Sequence, residues 1–326
     1  LREYYQRQKL FMTPRLLGLA AALLLATAAL AGPAPLRLLD DAGREVALGH
    51  AARRIVTLAP HLTELVYAAG AGDRLVAVGK YSDWPPEALA KPVVSDAFAV
   101  NYEALAKLEP DLVLVWGSGT PERIKSRLRA LGVAVYEIEI RDVDGLIDTL
   151  RRIGRLAGTE GVAQARAQAI ASDWAALKAR YAGRKPVRVF FQLWDAPLMT
   201  LNGQHLISSA IAACGGTNVF AELPTLTATV SWETAVQRDP ELVVTAGPAG
   251  QMAQPGRWSA FRQVSATRHG QFAHVEGDLL ARSGPRFVDG ARELCEAIDD
   301  ARRGLPQPVF GLQKAASGPT GPNPAR

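Results

Sequence analysis

The chain has 326 residues, of which 48% are hydrophobic and 21% are charged, and this balance is typical of a folded protein with room for two domains. Part of its formal net charge of +5 lies at the N-terminus, where Arg2, Glu3, Arg7, Lys9 and Arg15 contribute +3 and leave about +2 for the rest. The sequence has no stripe of Lys and Arg with interleaved aromatic residues. Charge and composition therefore argue against a nucleic-acid-binding protein.

The N-terminal segment has the pattern of a secretory signal peptide. Arg15 precedes an apolar run over Leu16–Leu30, and Ala29-Leu30-Ala31 provides the small residues of a cleavage site. A membrane anchor is the alternative, but a run of about 15 residues is shorter than the roughly 20 that span a bilayer. We therefore expect residues 1–31 to comprise an upstream segment and a signal peptide that starts at Met12, and the mature protein to be soluble in the periplasm.

Short β-branched runs alternate with amphipathic stretches from Arg54 onward. This alternation predicts a parallel sheet with crossover helices. The predicted strands are Ile55–Leu58, Leu75–Val78, Pro92–Ser95, Leu112–Trp116 and Val133–Ile138. The predicted helices between them include Thr63–Ala69, Tyr102–Leu108 and Arg123–Leu131. We assign them to an N-terminal lobe over residues 35–155.

A stretch without strand patterns follows this first set. Gly161–Tyr181 is rich in Ala, Gln, Arg and Lys, has apolar residues at helical spacing, and is followed by Gly183 and Pro186. It predicts one helix of about 20 residues, roughly 30 Å long. Beyond Pro186 the predicted strands are Val187–Leu193, Leu242–Thr245 and Phe272–Val275.

These elements predict an α/β fold with two Rossmann-like α/β lobes, joined by one long helix, and a ligand cleft between the lobes. We place the connecting helix at residues 158–183 and the C-terminal lobe at residues 186–302. Residues 303–326 end in a stretch rich in Pro, Gly and Ala, and we expect a disordered tail there.

A short pattern occurs once in each predicted lobe. Asn101-Tyr102-Glu103 is followed by Pro110, and Ser231-Trp232-Glu233 is followed at the same offset by Pro240. In both places an N-capping residue opens a helix, a Pro ends it and a strand follows. Either the lobes are related repeats or the likeness reflects common turn chemistry. If they are repeats, Glu103 and Glu233 occupy matching positions in the first turn of a helix.

Enzyme signatures are absent from the sequence. Trp116-Gly117-Ser118-Gly119 lacks the spacing of a nucleophile elbow, and the Gly-rich Ala68–Gly72 follows a helical pattern instead of a strand. The five histidines, at positions 50, 61, 205, 269 and 274, are isolated in the sequence. We expect a binding protein that is not an enzyme and has neither a resident cofactor nor a metal site.

Aromatic residues gather where predicted strands end. Tyr81 and Trp84 follow the second strand, Trp116 ends the fourth, and Trp194 follows the first strand of the second set. Ligands of open α/β sheets bind beyond the carboxyl ends of the strands, so these residues predict a cleft for a flat, hydrophobic ligand. Ordinary packing is the alternative for each aromatic residue taken alone. The two cysteines, Cys214 and Cys295, suggest one disulfide in an exported protein.

The sequence resembles the helix-linked periplasmic binding proteins, and within them the cobalamin-binding branch. The resemblance runs from about Arg54 to Ala301, and its motifs are Ala59-Pro60 with Thr63-Glu64-Leu65, Tyr81–Pro86, Pro110–Trp116, Cys214–Phe220, Pro285-Arg286 and Leu294-Cys295. It implies two lobes, one connecting helix and a small hinge motion. It also implies that a monomeric receptor binds cobalamin or a related corrinoid and delivers it to the inner-membrane permease dimer of an ABC importer.

The resemblance also implies roles for single residues. Tyr81 and Trp116 match residues that pack on the ligand, and Trp194 replaces an aromatic residue there. Cys214 and Cys295 match a disulfide pair. Glu103 and Glu233 match two carboxylates that dock onto arginines of the permease, although helix-dipole stabilisation alone is the alternative. We add Trp84, Phe98, His61 and Arg282 as candidate ligand contacts.

Some positions depart from the cobalamin-binding pattern. Ala97-Phe98, Thr227 and Leu279 stand where that branch has tryptophans. His61 is also unlike the pattern. It could ligate haem iron or cobalt; the structural alternatives are that it lies on the surface or caps a helix. A haem or ferric-siderophore receptor of the same fold is therefore the alternative, and a periplasmic enzyme using the cleft is the alternative from another class.

Overall fold

A computed structural model of the protein describes residues 35–96, 98–248 and 250–308, so the predicted signal peptide and most of the predicted tail lie outside the described residues. The strands are β1 (Leu36–Leu39), β2 (Glu45–Leu48), β3 (Ile55–Thr57), β4 (Leu75–Gly79), β5 (Val93–Ser95), β6 (Leu112–Trp116), β7 (Val135–Ile138), β8 (Val187–Gln192), β9 (Met199–Leu201), β10 (Gly216–Asn218), β11 (Thr227–Thr229), β12 (Leu242–Gly247) and β13 (Phe272–Glu276).

The helices are α1 (Pro60–Ala68), α2 (Tyr102–Lys107), α3 (Glu122–Ala130), α4 (Val143–Ala157), α5 (Glu160–Tyr181), α6 (Leu206–Ala213), α7 (Trp232–Gln237), α8 (Ser265–His269), α9 (Gly277–Leu280) and α10 (Phe287–Arg303). Short 3-10 turns lie at Gly72–Arg74, Pro86–Ala90 and Gly256–Ala260. None of the described helices is both long and apolar enough to cross a membrane.

Each lobe is built on a parallel sheet, which confirms the predicted α/β fold with two lobes. The first sheet has the order β5-β4-β3-β6-β7 and the second has the order β10-β8-β12-β13, and all neighbours in both are parallel. Ile55 and Val56 of β3 and Leu112–Val115 of β6 are buried and apolar, because helices cover both faces of a parallel sheet. The order reverses between β3 and β6 in one sheet and between β8 and β12 in the other. Crevices for ligands form at such reversals.

One long helix, α5, lies between the two sheets over Glu160–Tyr181, within the range 158–183 in which we placed it. Helix α5 has 22 residues, which corresponds to about 33 Å at 1.5 Å per residue. Its buried side chains recur every three or four residues and form one stripe: Ala163, Ala167, Ile170, Trp174, Leu177 and Tyr181. This stripe belongs to a hydrophobic core that also contains Leu114 of the first sheet and Val244 of the second. The helix is therefore packed against both lobes along its length.

The structure contains the predicted disulfide. Cys214, at the end of α6, is bonded to Cys295 in α10, and both side chains are fully buried. The bond ties the helix that follows β9 to the last helix of the second lobe.

Several elements differ from the sequence expectations. The β1–β2 hairpin, the short strands β9, β10 and β11, and helix α4 were not predicted. At the other end, α10 continues to Arg303 and Gln307 donates hydrogen bonds to Gln271 and to the carbonyl of Ala297. Gln307 therefore contacts the second lobe, whereas residues 303–306 are exposed, and the disorder of the tail stays a prediction.

Candidate ligand-binding site

The reversal between β3 and β6 brings two candidate residues together. Trp116 is the last residue of β6, and His61 lies in the first turn of α1, which follows β3. Their rings meet edge to face, with centroids 5.3 Å apart and an interplanar angle of 84°. The structure thus places a pair of aromatic rings where the topology of the sheet predicts a ligand.

The indole of Trp116 is held by the turn that follows it. A Cβ atom on Gly119 would lie 1.9 Å from the Trp116 ring, so only glycine allows this close approach. Thr120 accepts a hydrogen bond from the Trp116 amide and donates its own amide hydrogen to the Trp116 carbonyl. Buried Lys125 donates to the carbonyl of Gly117 at 3.0 Å. These contacts fix a ring that is still 40% exposed.

His61 is buried, with 6% of its surface exposed, and the residue before α1 has no side-chain cap. The surface and helix-capping interpretations of His61 are therefore wrong, because the ring packs against Trp116 at the end of the neighbouring strand. Burial, and to a smaller extent the positive charge of Arg282, lowers the pKa of His61 to about 4. The imidazole is consequently neutral at neutral pH.

Tyr81 and Trp116 line one pocket of about 150 Å³ in the first lobe. The pocket lies beyond the carboxyl ends of β3, β4, β5 and β6, and its lining comprises Leu58, Ala59, Pro60, Lys80, Tyr81, Ser95, Asp96, Val100, Trp116, Gly119, Thr120, Pro121 and Ile124. Tyr81 is 69% exposed, and its backbone has a φ of 68°, which is uncommon for a residue with a side chain. Strained residues cluster at binding sites, so this conformation fits a ligand-contacting role.

A larger pocket of about 740 Å³ lies among the described residues of the second lobe. Its lining includes Phe272, the first residue of β13, and Pro306–Pro308 at the end of the described chain. It is therefore at the amino ends of the strands. The smaller Tyr81–Trp116 pocket is the better candidate, since α/β sheets bind ligands at the carboxyl ends.

The other predicted aromatic contacts do not line this pocket. Trp84 is 44% exposed and lies under the guanidinium of Arg286, 4.7 Å from its ring centroid. Phe98 is 77% exposed beside the pocket residue Asp96. Trp194 is 63% exposed after β8, and its indole N–H donates to the carbonyl of Ala196. Their roles in ligand binding stay predictions.

Arg282 and Arg286 connect the two lobes through one buried carboxylate. Glu64, on α1 of the first lobe, accepts hydrogen bonds from Arg286 Nε at 2.9 Å and Nη2 at 2.7 Å, and from Arg282 Nη1 at 3.3 Å. Arg282 also forms ion pairs with Asp83 at 2.6 Å and Asp278 at 3.0 Å. The predicted ligand contact Arg282 therefore already has three carboxylate partners, and its part in ligand binding stays a prediction.

Glu103 and Glu233 lie in matching local structures. Each occupies the first turn of a short helix whose capping side chain, Asn101 or Ser231, accepts a hydrogen bond from the amide three residues later. Both glutamates are exposed. The side chain of Glu103 is 81% exposed and pairs with Lys107. Hydrogen bonds from the backbone amide of Glu233 and from Ser231 lower the pKa of the Glu233 carboxyl.

The match extends beyond the two glutamates. Glu109 and Asp239, each directly before the Pro of the motif, have φ values of 42° and 44°. Asp111 and Glu241, directly after it, accept hydrogen bonds from the amides of Arg54 and Arg188 at the first strand of each sheet. Shared details of this kind favour related repeats over common turn chemistry.

Sequence reasoning missed the polar lining of the pocket and the Glu64–Arg286 pair. Lys80 and Asp96 directly follow β4 and β5, so the rule that located Tyr81 also applies to them. Glu64 and Arg286 are 222 residues apart, and no local signal joins them. Among the described residues, no group of three or more His, Cys, Asp and Glu side chains is arranged to hold a metal ion.

Comparison with known proteins gives consistent similarities. A family model described as "Periplasmic binding protein" matches residues 55–278. The vitamin B12-binding protein of Vibrio cholerae serotype O1 (strain ATCC 39541) is 34% identical over 253 residues, which is 77% of this chain and 91% of the relative. The protein of the same name from Salmonella typhimurium is 34% identical over 250 residues, covering 76% and 91%.

Solved structures agree with the sequence similarities. The crystal structure of the periplasmic vitamin B12 binding protein of Vibrio cholerae has a TM-score of 0.71 and 33% identity, covering 78% of this chain and 99% of that one. A periplasmic haem-binding protein in complex with two haems has a TM-score of 0.66 at 21% identity, covering 76% and 98%. The second likeness concerns the fold alone.

Proposed function

Because the chain belongs to the periplasmic binding protein family, a family of receptors and not of enzymes, we propose that it binds cobalamin or a related corrinoid between its lobes. The observation that supports this most is its similarity to the vitamin B12-binding proteins, of which it covers nine-tenths. We further propose that residues 1–31 direct export and that the mature protein acts as a soluble monomer in the periplasm.

The binding free energy comes mainly from aromatic and apolar surface. Tyr81 and Trp116 line the pocket and are still 69% and 40% exposed. A ligand in the pocket can therefore bury the exposed part of both rings. Burying an aromatic side chain stabilises a complex by about 1.5–3 kcal/mol. A planar macrocycle is large enough to contact both rings at once, and no covalent step is required.

Delivery requires a second contact, with the permease of an ABC importer. Glu103 and Glu233 supply one exposed carboxylate per lobe at matching positions. A dimeric permease presents two equivalent surfaces, and two related lobes with matched charges fit such a partner.

Calorimetric titration of the mature protein with cyanocobalamin tests the proposed ligand. We expect one-to-one binding, and we expect Trp116→Ala to weaken it about tenfold or more because one stacking surface is lost. Leu131→Ala is the control, since Leu131 is also a half-exposed apolar residue but lies at the far end of α3. Haemin and a ferric hydroxamate siderophore serve as competing ligands.

Haem is the second candidate, and His61 is the observation that favours it. A buried, neutral imidazole beside an exposed indole is a suitable axial ligand for iron. If the protein binds haemin with a shifted Soret band that His61→Ala abolishes, and does not bind cyanocobalamin, the corrinoid proposal is wrong.

A further inference from the structure

We propose that Lys125 is a positioning residue for ligand binding: it holds the turn at residues 117–119 in the conformation that presents the Trp116 ring. The inference rests on the proposed function, because it concerns the same ligand. Lys125 lies in α3 next to the pocket residue Ile124, but it is not among the residues that line the pocket. Its effect on binding is therefore indirect.

The buried ammonium group of Lys125 is the main observation. The Lys125 side chain is 7% exposed, and lysine is almost never fully buried unless it is paired. Its Nζ lies 2.9 Å from Glu137 Oε1, 3.2 Å from Glu122 Oε2 and 3.0 Å from the carbonyl oxygen of Gly117. These three oxygen atoms match the three N–H donors of an ammonium group.

Neutralising Glu137 does not require Lys125. Glu137 also forms ion pairs with Arg44 at 3.2 Å and with Arg129 at 3.3 Å. A buried ion pair is often no more stabilising than apolar residues of similar volume, because both charges lose their hydration. Stability alone therefore does not explain an ammonium group at this place. The contact that an apolar side chain cannot make is the hydrogen bond to the Gly117 carbonyl.

The same turn is also fastened to the end of β7. The Gly117 amide donates to the carbonyl of Ile138 at 2.8 Å, and the Ser118 amide donates to the carboxylate of Glu139 at 2.6 Å. A Cβ atom on Gly117 would lie 2.7 Å from Glu139 Oε2, so the turn fits closely against this carboxylate. With Lys125 added from α3, the turn is bonded to both neighbouring elements.

The position of the turn determines the position of the ring. The Trp116 indole packs directly on Gly119, the last residue of the turn, and meets His61 only edge to face. Stacking on a ligand depends on the orientation of the ring plane. A turn that is released from α3 therefore presents the Trp116 ring less favourably.

Lys125→Met tests this role, since Met has a similar length but no hydrogen-bond donor. We expect it to bind cyanocobalamin about three- to tenfold more weakly than the wild-type protein in calorimetry, because part of the stacking is lost. The melting temperature of the ligand-free variant should stay close to that of the wild-type protein, since Glu137 keeps two arginine partners. Lys107→Met is the control, because Lys107 also pairs with a glutamate but is exposed.

A second variant keeps the test informative if Lys125→Met does not fold. Lys125→Met combined with Glu137→Gln removes both charges of the buried pair, so no carboxylate is left without its lysine. We expect the same loss of affinity, because the Gly117 carbonyl lacks its donor in both variants. A double variant that binds cyanocobalamin as tightly as the wild-type protein would contradict the proposal.

A double-mutant cycle with Trp116→Ala separates positioning from a general structural effect. In the Trp116→Ala background, Lys125→Met should change the affinity by no more than about twofold, because the ring through which Lys125 acts is absent. An equal loss in both backgrounds, or no loss in the wild-type background, overturns the positioning role alone. If the wild-type protein fails to bind cyanocobalamin, the proposed function is wrong and the positioning role is overturned with it.

Discussion

One buried histidine, His61, and one half-buried histidine, His205, couple the stability of the protein to pH. Burial lowers the pKa of both His61 and His205 to about 4, compared with about 6.5 for an exposed histidine. Between these pH values the unfolded chain binds more protons than the folded one. Acidification from pH 6.5 toward 4 therefore weakens the fold, and above pH 6.5 the two residues contribute no such loss.

We predict that His61→Gln reduces the acid sensitivity of the fold. The free energy of unfolding of the wild-type protein should fall by about 2 kcal/mol per buried histidine between pH 7 and pH 5. The variant cannot protonate at this position, so its loss should be smaller by about that amount. Urea unfolding at the two pH values measures the difference, with the exposed residue His50 changed to Gln as the control. Equal acid sensitivity of the two variants would contradict the prediction.

Single positions were predictable from sequence where a local rule applies. Tyr81 and Trp116 follow strands, and the carboxyl ends of strands in a parallel sheet share one edge, so their common pocket was expected. The environment of His61 was not, because it depends on a contact with Trp116 across two strands.

At the level of secondary structure, ion pairs join the loop between α9 and α10 of the second lobe to helix α1 of the first. The carboxylate of Glu64 is 1% exposed and pairs with two arginines from the segment between α9 and α10. Arg286 also stacks on Trp84, and a Cβ atom on Gly284 would lie 3.1 Å from Glu64 Oε2. The segment thus fits closely over α1, which restricts how far the lobes can separate.

We predict that Glu64→Gln destabilises the protein by about 3 kcal/mol, because it leaves the partly buried guanidinium of Arg286 without its carboxylate partner and removes one of the three carboxylates that pair with Arg282. Gln has nearly the same size as Glu, so any loss of unfolding free energy reflects the loss of the negative charge. Glu87→Gln is the matched control, since Glu87 lies nearby in the Pro86–Ala90 turn and is exposed. Urea unfolding compares the two, and a Glu64→Gln variant as stable as Glu87→Gln would show that the ion pairs contribute little.

The regular elements followed from the sequence more reliably than the short ones. All five strands of the first sheet and β8, β12 and β13 of the second were predicted from β-branched runs, and α5 from its apolar spacing. Strand β10 consists of Gly216, Thr217 and Asn218, which have no strand pattern of their own, and it forms because β8 offers a free edge. Pairing partners of this kind lie far apart in the chain, so tertiary structure decides them.

At the level of the whole molecule, the two lobes present related surfaces. Residue numbers of the matched motifs differ by 130 throughout, from Asn101 and Ser231 to Pro110 and Pro240. Helix α5 packs against both lobes and shares their core, and the Glu64 ion pairs join them at a second place. These two sets of contacts between the lobes limit changes in the separation of Glu103 and Glu233, which favours docking onto a dimeric partner.

We predict that replacing both glutamates by arginine uncouples ligand binding from delivery. Glu103→Arg with Glu233→Arg should bind cyanocobalamin as the wild-type protein does, because both residues are exposed and lie outside the Tyr81–Trp116 pocket. Its affinity for the permease of its importer in lipid vesicles should fall at least tenfold, since two attractive contacts become repulsive, and each single change should have a smaller effect.

Asp144→Arg is the matched control for this experiment. Asp144 is also an exposed acidic residue in the first turn of a helix, α4, so its replacement costs the same favourable interaction with the helix dipole without touching the proposed docking positions. If Asp144→Arg reduces permease binding as much as Glu103→Arg or Glu233→Arg alone does, general charge and not the position of the two glutamates governs association. If each single glutamate variant loses binding while Asp144→Arg retains it, the carboxylates of Glu103 and Glu233 are what the permease recognises.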